Sequence, residues 1–213
     1  MYIAFEGVVG SGKTTQMKML EEHLGKKYPG KDILFTREPG GTEIAEDIRT
    51  LVQAKTFSEK MSPITAALLY AASRAQLFCA EILPCLCRGG VVISDRSVIT
   101  SMAYQGYVGG IGIPNILEIN WFALCGRLPD VVVFFDLPVE AGLARASDSE
   151  GDRWELEGRE FFEKVRQGYI ETAKLYRSDI DWISIRLFPE DSRESVFEKL
   201  LLALEPYLEE AFV

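Results

Sequence analysis

Residues 7–14 read Gly7-Val8-Val9-Gly10-Ser11-Gly12-Lys13-Thr14 and directly follow the apolar run Tyr2-Ile3-Ala4-Phe5. The octapeptide has the G-x-x-x-x-G-K-[ST] pattern of a phosphate-binding loop. Its glycines lack a Cβ, so the backbone can approach phosphate oxygens with successive N–H groups pointing inward. Lys13 adds a positive charge, and the Thr14 hydroxyl can hold Mg²⁺. An ordinary glycine-rich turn is the alternative, but the order of strand, loop and helix favours a nucleotide site.

The helix predicted after this loop, over about 13–28, directs the positive end of its dipole at the same point. Met17, Leu20 and Leu24 recur at helical spacing and give this helix one apolar face. The predicted nucleotide-binding residues of the segment are Gly7, Gly10, Ser11, Gly12, Lys13, Thr14 and Thr15.

Apolar runs typical of buried strands alternate with helical patterns along the chain. The predicted strands cover 2–6, 32–36, 90–94, 131–136 and 181–186. The predicted helices cover approximately 13–28, 43–54, 63–87, 97–106, 114–126, 138–146, 157–177 and 192–211. Continuous Val, Ile and Phe in the strands indicates a parallel sheet buried on both faces. The predicted fold is therefore α/β, a five-stranded parallel sheet flanked by helices on both faces, with ligands beyond the carboxyl ends of the strands.

Length and charge restrict the partners. The 213 residues suffice for one α/β domain, and no linker or repeat divides them, so we predict a single domain over 1–213. The net charge of −9 argues against a nucleic-acid partner, which would need clustered Lys and Arg. No apolar run approaches the roughly 20 residues that span a bilayer, and Met1 leads straight into a strand rather than a signal sequence. We expect a cytoplasmic protein that binds neither nucleic acid nor membrane.

The cysteines and the single histidine do not form a recognisable metal-binding pattern. Cys79, Cys85, Cys87 and Cys125 contain no C-x-x-C pair and have no histidine at zinc spacing. We expect them to be reduced and buried as small hydrophobic residues. His23 lies in a polar stretch of the first predicted helix, where a solvated surface residue is expected.

Charged residues occur where predicted strands end. Arg37 follows the second strand, at a turn from which it could project toward the site. The third strand ends in Asp95 and Arg96. A carboxylate at this place can hold Mg²⁺ through water, and a guanidinium beside it can bind phosphate in a bidentate way. We therefore predict that Thr14 and Asp95 hold the metal and that Arg96 binds phosphate.

Two further sets of side chains suggest a nucleotide base. Tyr70 and Arg74 are four residues apart on the long predicted helix and so share one face. The ring could stack on a base while Arg74 holds its exocyclic oxygen, although an aromatic residue at helical spacing is by default part of the core. The amide of Gln105 can present a donor and an acceptor together to a base edge.

Taken together, these segments resemble the thymidylate kinase family. The matching segments are Phe5-Glu6-Gly7 through Thr15, Thr36-Arg37-Glu38-Pro39-Gly40-Gly41-Thr42, Ser73-Arg74-Ala75-Gln76, Asp95-Arg96, Ala103-Tyr104-Gln105-Gly106, Asp152-Arg153-Trp154-Glu155 and Val165-Arg166-Gln167-Gly168-Tyr169. The second and fifth of these are far more specific than the phosphate-binding loop. The resemblance implies a P-loop kinase fold with a short lid over approximately 146–156. It also implies transfer of the ATP γ-phosphate to dTMP, giving dTDP, with Mg²⁺ and usually a homodimer.

The resemblance further implies roles for individual residues. The implied acceptor contacts are Tyr70, Arg74, Ser101 and Gln105 at the base, Tyr104 at the sugar, and Arg37, Arg49 and Arg96 with Asp95 around the phosphates. Arg145 matches the arginine that lies against the adenine of ATP. Arg153 is the sole cation of the lid sequence and our candidate for transition-state stabilisation, together with Lys13 and Arg96 as catalytic residues. A surface salt bridge of Arg153 is the alternative.

Two questions stay open at this point. The residues at positions 9 and 97, Val9 and Ser97, match the pattern of deoxynucleoside kinases better than that of thymidylate kinases. The alternatives are therefore a deoxynucleoside kinase, another nucleoside monophosphate kinase, or a catalytically impaired nucleotide-binding relative. The segment 65–72 carries more small and apolar side chains than one buried face requires. It is either a dimer helix or a fully buried core helix.

Overall fold

The computed structural model describes residues 1–54, 57–146 and 158–212. Its centre is a sheet of five parallel strands in the order β2-β3-β1-β4-β5. The strands are β1 Tyr2–Glu6, β2 Ile33–Arg37, β3 Val91–Asp95, β4 Val131–Asp136 and β5 Asp181–Arg186. The predicted α/β fold is confirmed, and β2 and β3 each begin one residue later than expected.

The later start of β3 follows from the turn before it. The N–H of Gly90 donates to the carbonyl of Cys85 at 3.0 Å, which closes the preceding helix. The sheet ladder therefore begins with Val91, whose N–H donates to the carbonyl of Asp32 at 2.9 Å.

Helices cover both faces of this sheet. They are α1 Lys13–Lys27, α2 Glu43–Gln53, α3 Pro63–Leu77, the π-helix π1 Phe78–Ile82, α4 Leu83–Cys87, α5 Val98–Ser101, the π-helix π2 Met102–Val108, α6 Ile113–Asn120, α7 Val139–Ala146, α8 Arg159–Tyr176 and α9 Arg193–Phe212. The long helix predicted over 63–87 is thus continuous but widened at π1, ahead of Pro84, which has no N–H to donate within a helix. The helix predicted over 114–126 ends at Asn120 and continues as turns over 121–126, where Cys125 and Gly126 adopt left-handed backbone angles (φ 50° and 73°).

Successive strand residues point to opposite faces and supply two apolar cores. Tyr2, Ala4 and Phe134 pack against the face that carries α3 and α8. Ile3 and Phe5 pack against the opposite face, where α1 and α9 lie. Burial on both faces leaves the carboxyl edge of the sheet as the place where polar side chains gather.

The helical run Pro63–Cys87 is long and apolar enough to cross a membrane by length and composition alone. The expectation was that no uninterrupted apolar run reaches this length, and this run is interrupted by charged residues, among them Arg74 and Glu81. Half of its most apolar window is buried inside the protein. Arg74 in this run forms a buried ion pair with Glu38, which is the behaviour of a core helix.

The expected burial of the cysteines is wrong for three of the four. All are free thiols, but only Cys85 is buried, whereas Cys79, Cys87 and Cys125 are exposed. Cys79 lies in π1 and Cys125 in the turns after α6, and neither segment packs its outer side against the cores. His23 is half-buried, with its ring edge-on to Phe197 of α9 at 5.9 Å between centroids.

Candidate active site

The charged residues predicted from the sequence lie at the carboxyl edge of the sheet. Asp95 at the end of β3 pairs in register with Phe5 of β1 and with Arg37 of β2. A cleft of about 870 Å³, called here the wide cleft, is lined by the phosphate-binding loop, the ends of β2 and β3, α7 and the segment after β5. A smaller cavity, called here the inner pocket, adjoins it and shares Val9 and Arg96 with it.

The phosphate-binding loop wraps around the Lys13 side chain. Lys13 is buried, and its Nζ donates to the carbonyls of Gly7 and Val8 and to Ser11 Oγ, each at 3.1 Å. Burial, together with the charge of Arg96, lowers the pKa of Lys13 to about 7. Phosphate oxygens in the loop would give this amine negative partners in place of the neutral ones.

Two glycines of the loop lie against neighbouring backbone. Gly10 (φ +69°) faces α7, and a Cβ there would come within 2.1 Å of the Gly142 carbonyl oxygen. A Cβ on Gly7 would come within 2.8 Å of the Phe135 carbonyl oxygen. Gly7, the first residue of the loop, does not line the wide cleft. The remaining predicted nucleotide contacts, Gly10, Ser11, Gly12, Lys13, Thr14 and Thr15, all line the wide cleft.

Thr14 and Asp95 lie side by side in the wide cleft. The Thr14 hydroxyl donates to Asp95 Oδ2 at 2.7 Å. Thr14 follows Lys13 at the start of α1 and is exposed, while Asp95 is half-buried at the end of β3. A hydroxyl and a carboxylate fit Mg²⁺, which takes one or two protein carboxylates and completes its shell with waters and phosphate oxygens.

Arg96 lies where the wide cleft and the inner pocket meet. Its backbone has φ +73°, a left-handed angle that is unfavourable for a residue with a Cβ. Its Nη1 donates to Thr100 Oγ1 at 3.3 Å and to the Tyr169 hydroxyl at 3.2 Å, and its guanidinium lies 5.8 Å from the centre of the Tyr104 ring. A strained residue over a polar cleft is typical of a functional position.

Arg37 and Arg49 lie on the wall that β2 and α2 contribute to the wide cleft. Arg37 Nη2 donates to Glu46 Oε1 at 2.9 Å in an exposed ion pair. Arg49 Nη1 donates to the Pro39 carbonyl at 2.8 Å. Both guanidinium groups are within the surface that a polyphosphate in this cleft would touch.

The inner pocket is built around Arg74. Arg74 Nε donates to Glu38 Oε2 at 2.6 Å, and both side chains are only 3 % exposed. Arg74 Nη1 donates to Asn120 Oδ1, and Nη2 donates to the Ser97 carbonyl at 3.3 Å and to Ser101 Oγ at 3.2 Å. Burial raises the pKa of Glu38, and the adjacent guanidinium opposes that rise. Every nitrogen of Arg74 is therefore fixed in position.

The other residues predicted to contact the base or the sugar of the acceptor line the same pocket. They are Tyr70, Ser101, Tyr104 and Gln105, all buried. Val9 of the phosphate-binding loop and Phe162 of α8 also line the pocket. A flat, partly apolar cavity with one amide and one guanidinium suits a nucleotide base.

The far end of the wide cleft contains Arg145 and the segment after β5. Arg145 Nη2 donates to the Pro189 carbonyl at 3.0 Å, so α7 is tied to that segment. Phe188 and Arg193 line the cleft next to it. This end offers an aromatic ring and a guanidinium at a distance from the inner pocket.

Four residues that line the cavities or hold their side chains in place were missed as functional candidates. Glu38 and Asn120 hold Arg74, Thr100 holds Arg96, and Gln16 joins α1 to α9 through a 2.9 Å bond from its Nε2 to the Arg193 carbonyl. The signal for Gln16 is an amide beside Met17 on the apolar face of α1. The signal for Glu38 is a carboxylate directly after a strand, inside a segment already recognised as specific. Asn120 and Thr100 give no such signal.

Arg153, the predicted lid arginine, lies outside the described residues. So does most of the predicted lid over 146–156, of which Ala146 closes α7.

The chain is similar to known proteins over almost its whole length. The sequence profile of the family described as Thymidylate kinase matches residues 5–196. A thymidylate kinase from Thermoanaerobacter sp. (strain X514) is 46% identical over 173 residues, which cover 81% of this chain and 83% of the relative. A thymidylate kinase from Kosmotoga olearia is 38% identical over 206 residues, which cover 96% of this chain and 97% of the relative.

A solved structure shows the same fold. The crystal structure of thymidylate kinase from Ehrlichia chaffeensis aligns with a TM-score of 0.74 at 29% identity, covering 96% of this chain and 98% of that one.

Proposed function

The chain belongs to the thymidylate kinase family and transfers the γ-phosphate of ATP to dTMP, and from that premise we propose which residues carry out the reaction. The two cavities receive the two nucleotides, with the acceptor in the inner pocket and the donor in the wide cleft. The main support for this assignment is the place where the two cavities meet. The inner pocket, with its base-binding groups, opens onto the phosphate-binding loop at Val9 and Arg96.

In the inner pocket, Tyr70 stacks on thymine while Arg74 and Gln105 form hydrogen bonds with the base edge. Ser101 both accepts a bond from Arg74 and touches the base. Tyr104 packs against the sugar. The fixed guanidinium of Arg74 favours a base with a carbonyl oxygen at the matching position.

The phosphates lie between the inner pocket and the loop. Arg37, Arg49 and Arg96 bind the acceptor phosphate and the transferring group, and Lys13 with the loop amides binds the donor phosphates. Preorganised positive groups suit phosphoryl transfer, which requires positioning and charge stabilisation more than a general base, because the acceptor phosphate is already ionised. The only histidine of the chain, His23, is accordingly given no part in the reaction.

Thr14 and Asp95 would hold Mg²⁺, which when bound neutralises charge on the phosphate oxygens. Arg145 lies against the adenine of ATP, beside Phe188. We assign Arg153 to the same transition state as Arg96, as a cation delivered by the lid.

The proposed assembly is a cytoplasmic homodimer. In the segment 65–72, Ala66, Ala67 and Ala71 are buried, whereas Leu68 is 53% exposed, so the helix has apolar groups on both sides. Phe122, after α6, is 93% exposed, and Cys125 beyond it contacts Cys79 of π1 with 3.9 Å between sulfurs. A second copy would cover these exposed apolar side chains. Light scattering should give a dimer for the native chain and a monomer for Leu68→Glu.

A coupled ATP-consumption assay with Mg²⁺ tests the proposal, with dTMP, dUMP, dCMP, UMP and thymidine as acceptors. We expect preference for dTMP and loss of turnover in Lys13→Ala. Lys18→Ala, which removes an exposed lysine of the same helix, is the matched control and should keep full turnover. Preference for thymidine would instead assign the inner pocket to a nucleoside, and full turnover in Lys13→Ala would contradict the loop assignment.

A further inference from the structure

Glu6 is a fully buried carboxylate at the end of β1, and it has no role in the proposed reaction. Its exposed fraction is 0%. Oε1 accepts from Ser97 Oγ at 2.7 Å, and Oε2 accepts from Thr100 Oγ1 at 2.6 Å. Thr100 in turn lies 3.0 Å from the hydroxyl of Tyr169, which is also completely buried. A buried charge of this kind is costly unless its bonds are all made, so its surroundings deserve a functional explanation.

Burial raises the pKa of Glu6, and the hydrogen bonds from Thr100 and Ser97 and the charge of Arg96 oppose that rise. When Glu6 is ionised, its charge fixes the direction of every hydrogen bond in this series. An ionised carboxylate only accepts, and the Thr100 hydroxyl has a single proton, which it therefore donates to Glu6. The Thr100 oxygen is left as an acceptor, and it receives Arg96 Nη1 at 3.3 Å and the Tyr169 proton at 3.0 Å. The Tyr169 oxygen then accepts from the same Nη1 at 3.2 Å.

Arg96 is consequently held by one nitrogen. Both of its hydrogen bonds start at Nη1, and within the described part of the chain its Nε and Nη2 form no hydrogen bond. The residue lines both cavities. Two donor groups thus stay available to phosphate oxygens, while the third is anchored to the buried hydroxyls of two different elements, α5 and α8.

We propose that Glu6 is a positioning residue for Arg96, acting through Thr100 and Tyr169 and never touching substrate. This inference rests on the proposed role of Arg96 at the phosphates. The carboxylate makes both hydroxyl oxygens acceptors toward Arg96, which fixes the plane of the guanidinium before the nucleotides arrive. A neutral group at position 6 allows the Thr100 proton to rotate toward Arg96, and the anchor is lost.

The test measures kcat and KM for dTMP in variants that change the hydrogen-bond series at Glu6, Thr100 or Tyr169. We expect Glu6→Gln to lower kcat by about 10²-fold, the range for loss of one preorganised group, while KM for dTMP changes little. Thr100→Val should reproduce that loss, and Thr100→Ser, which keeps the hydroxyl, should recover most of it. Tyr169→Phe as a single change should lower kcat. Combined with Glu6→Gln it should add little, because the two changes break the same series of hydrogen bonds.

Thr172→Val is the matched control for loss of a buried hydroxyl on α8. Thr172 is fully buried one turn from Tyr169, and among the described residues its Oγ1 donates only to the Gly168 carbonyl, at 2.8 Å. It should lower the melting temperature without changing kcat. A kcat loss in Thr172→Val equal to that in Tyr169→Phe would overturn the proposal, because general loosening of α8 would then explain both.

Arg96→Ala separates failure of this inference from failure of the proposed function. If Arg96→Ala abolishes turnover while Glu6→Gln and Thr100→Val keep native kcat, the positioning role is wrong and the site assignment stands. If Arg96→Ala keeps native kcat, the role of Arg96 is itself wrong. Should Glu6→Gln fail to fold, Thr100→Val and Tyr169→Phe decide the question alone.

Discussion

The two arginines that face the inner pocket are held in opposite ways. Arg74 is paired directly with Glu38, and all three of its nitrogens form hydrogen bonds to protein. Within the residues that the structure describes, Arg96 reaches the buried carboxylate of Glu6 only through Thr100 and Tyr169, and its side-chain hydrogen bonds all come from Nη1. Both arginines nevertheless line the inner pocket.

The difference matches what each side chain must do. A guanidinium whose three nitrogens all bond to protein has a fixed position, and the one N–H of Arg74 that these four bonds leave can select a base with an oxygen at the matching position. A guanidinium with unused donors can bind phosphate oxygens, where charge-assisted bonds are strongest. A direct ion pair therefore suits recognition, and an indirect one suits the chemical step. Substitutions at the two sites should accordingly affect different properties.

Glu38→Ala is expected to have the largest effect, on stability. It leaves the Arg74 charge buried without a partner, which costs about 3–5 kcal/mol. Urea denaturation should show this loss in the free energy of unfolding, together with a raised KM for dTMP. A loss below 1 kcal/mol would mean that Asn120 and the Ser97 carbonyl suffice to hold Arg74, and the contrast between the two arginines would weaken.

Arg96→Gly should have a large effect on turnover and almost none on stability. The loss of one preorganised donor group lowers kcat by about 10²–10³-fold. Glycine adopts φ +73° without strain, so the melting temperature should stay constant or rise. Arg74→Gly in the interior of α3 is the contrasting variant, since it should unfold more readily. Equal destabilisation by the two changes would contradict the division of roles.

Lys13 is a third, intermediate case, since it is buried like Arg74 but, among the described residues, donates hydrogen bonds only to neutral oxygens. Its pKa of about 7 lies below the ordinary 10.5, so the unfolded chain binds more protons between these values. This group therefore makes the nucleotide-free protein more stable as pH rises from 7 toward 10.5. Donor phosphates favour the charged amine and raise its pKa, so binding of ATP at pH 8 should take up a proton.

Calorimetry of ATP binding at pH 8, in two buffers of different ionisation enthalpy, measures that uptake. The native chain should take up most of one proton, and Lys13→Ala none. Lys18→Ala should behave like the native chain. Equal uptake by the native chain and Lys13→Ala would assign the proton to another group.

Much of this arrangement follows from the sequence, because it depends on local patterns. Runs of Val, Ile and Phe gave all five strands, and the loop pattern placed Lys13 and Thr14 at the cleft. The residues that hold the arginines were not predictable in the same way. Asn120 and Thr100 are ordinary helical residues whose importance arises from packing between distant segments, 46 residues apart for Arg74 and Asn120. The exposure of Cys79 and Cys125 was likewise missed, since it depends on which side of π1 and of the turns after α6 faces outward.

Breaking the exposed ion pair of Arg37 with Glu46 should have the smallest effect of all these substitutions. This pair therefore shows how little an exposed arginine–carboxylate pair contributes. Its side chains are 55% and 37% exposed, and such pairs contribute about 0.2–1 kcal/mol. Glu46→Gln removes the charge but keeps an oxygen for the Gly41 N–H, which donates to Oε1 at 2.9 Å. We expect a stability change within that range, which shrinks further in salt, and a slightly lower KM for dTMP because Arg37 is released toward the phosphate. A stability loss as large as that of Glu38→Ala would show that burial does not separate the two pairs, and that the strength of the Arg74 site has another origin.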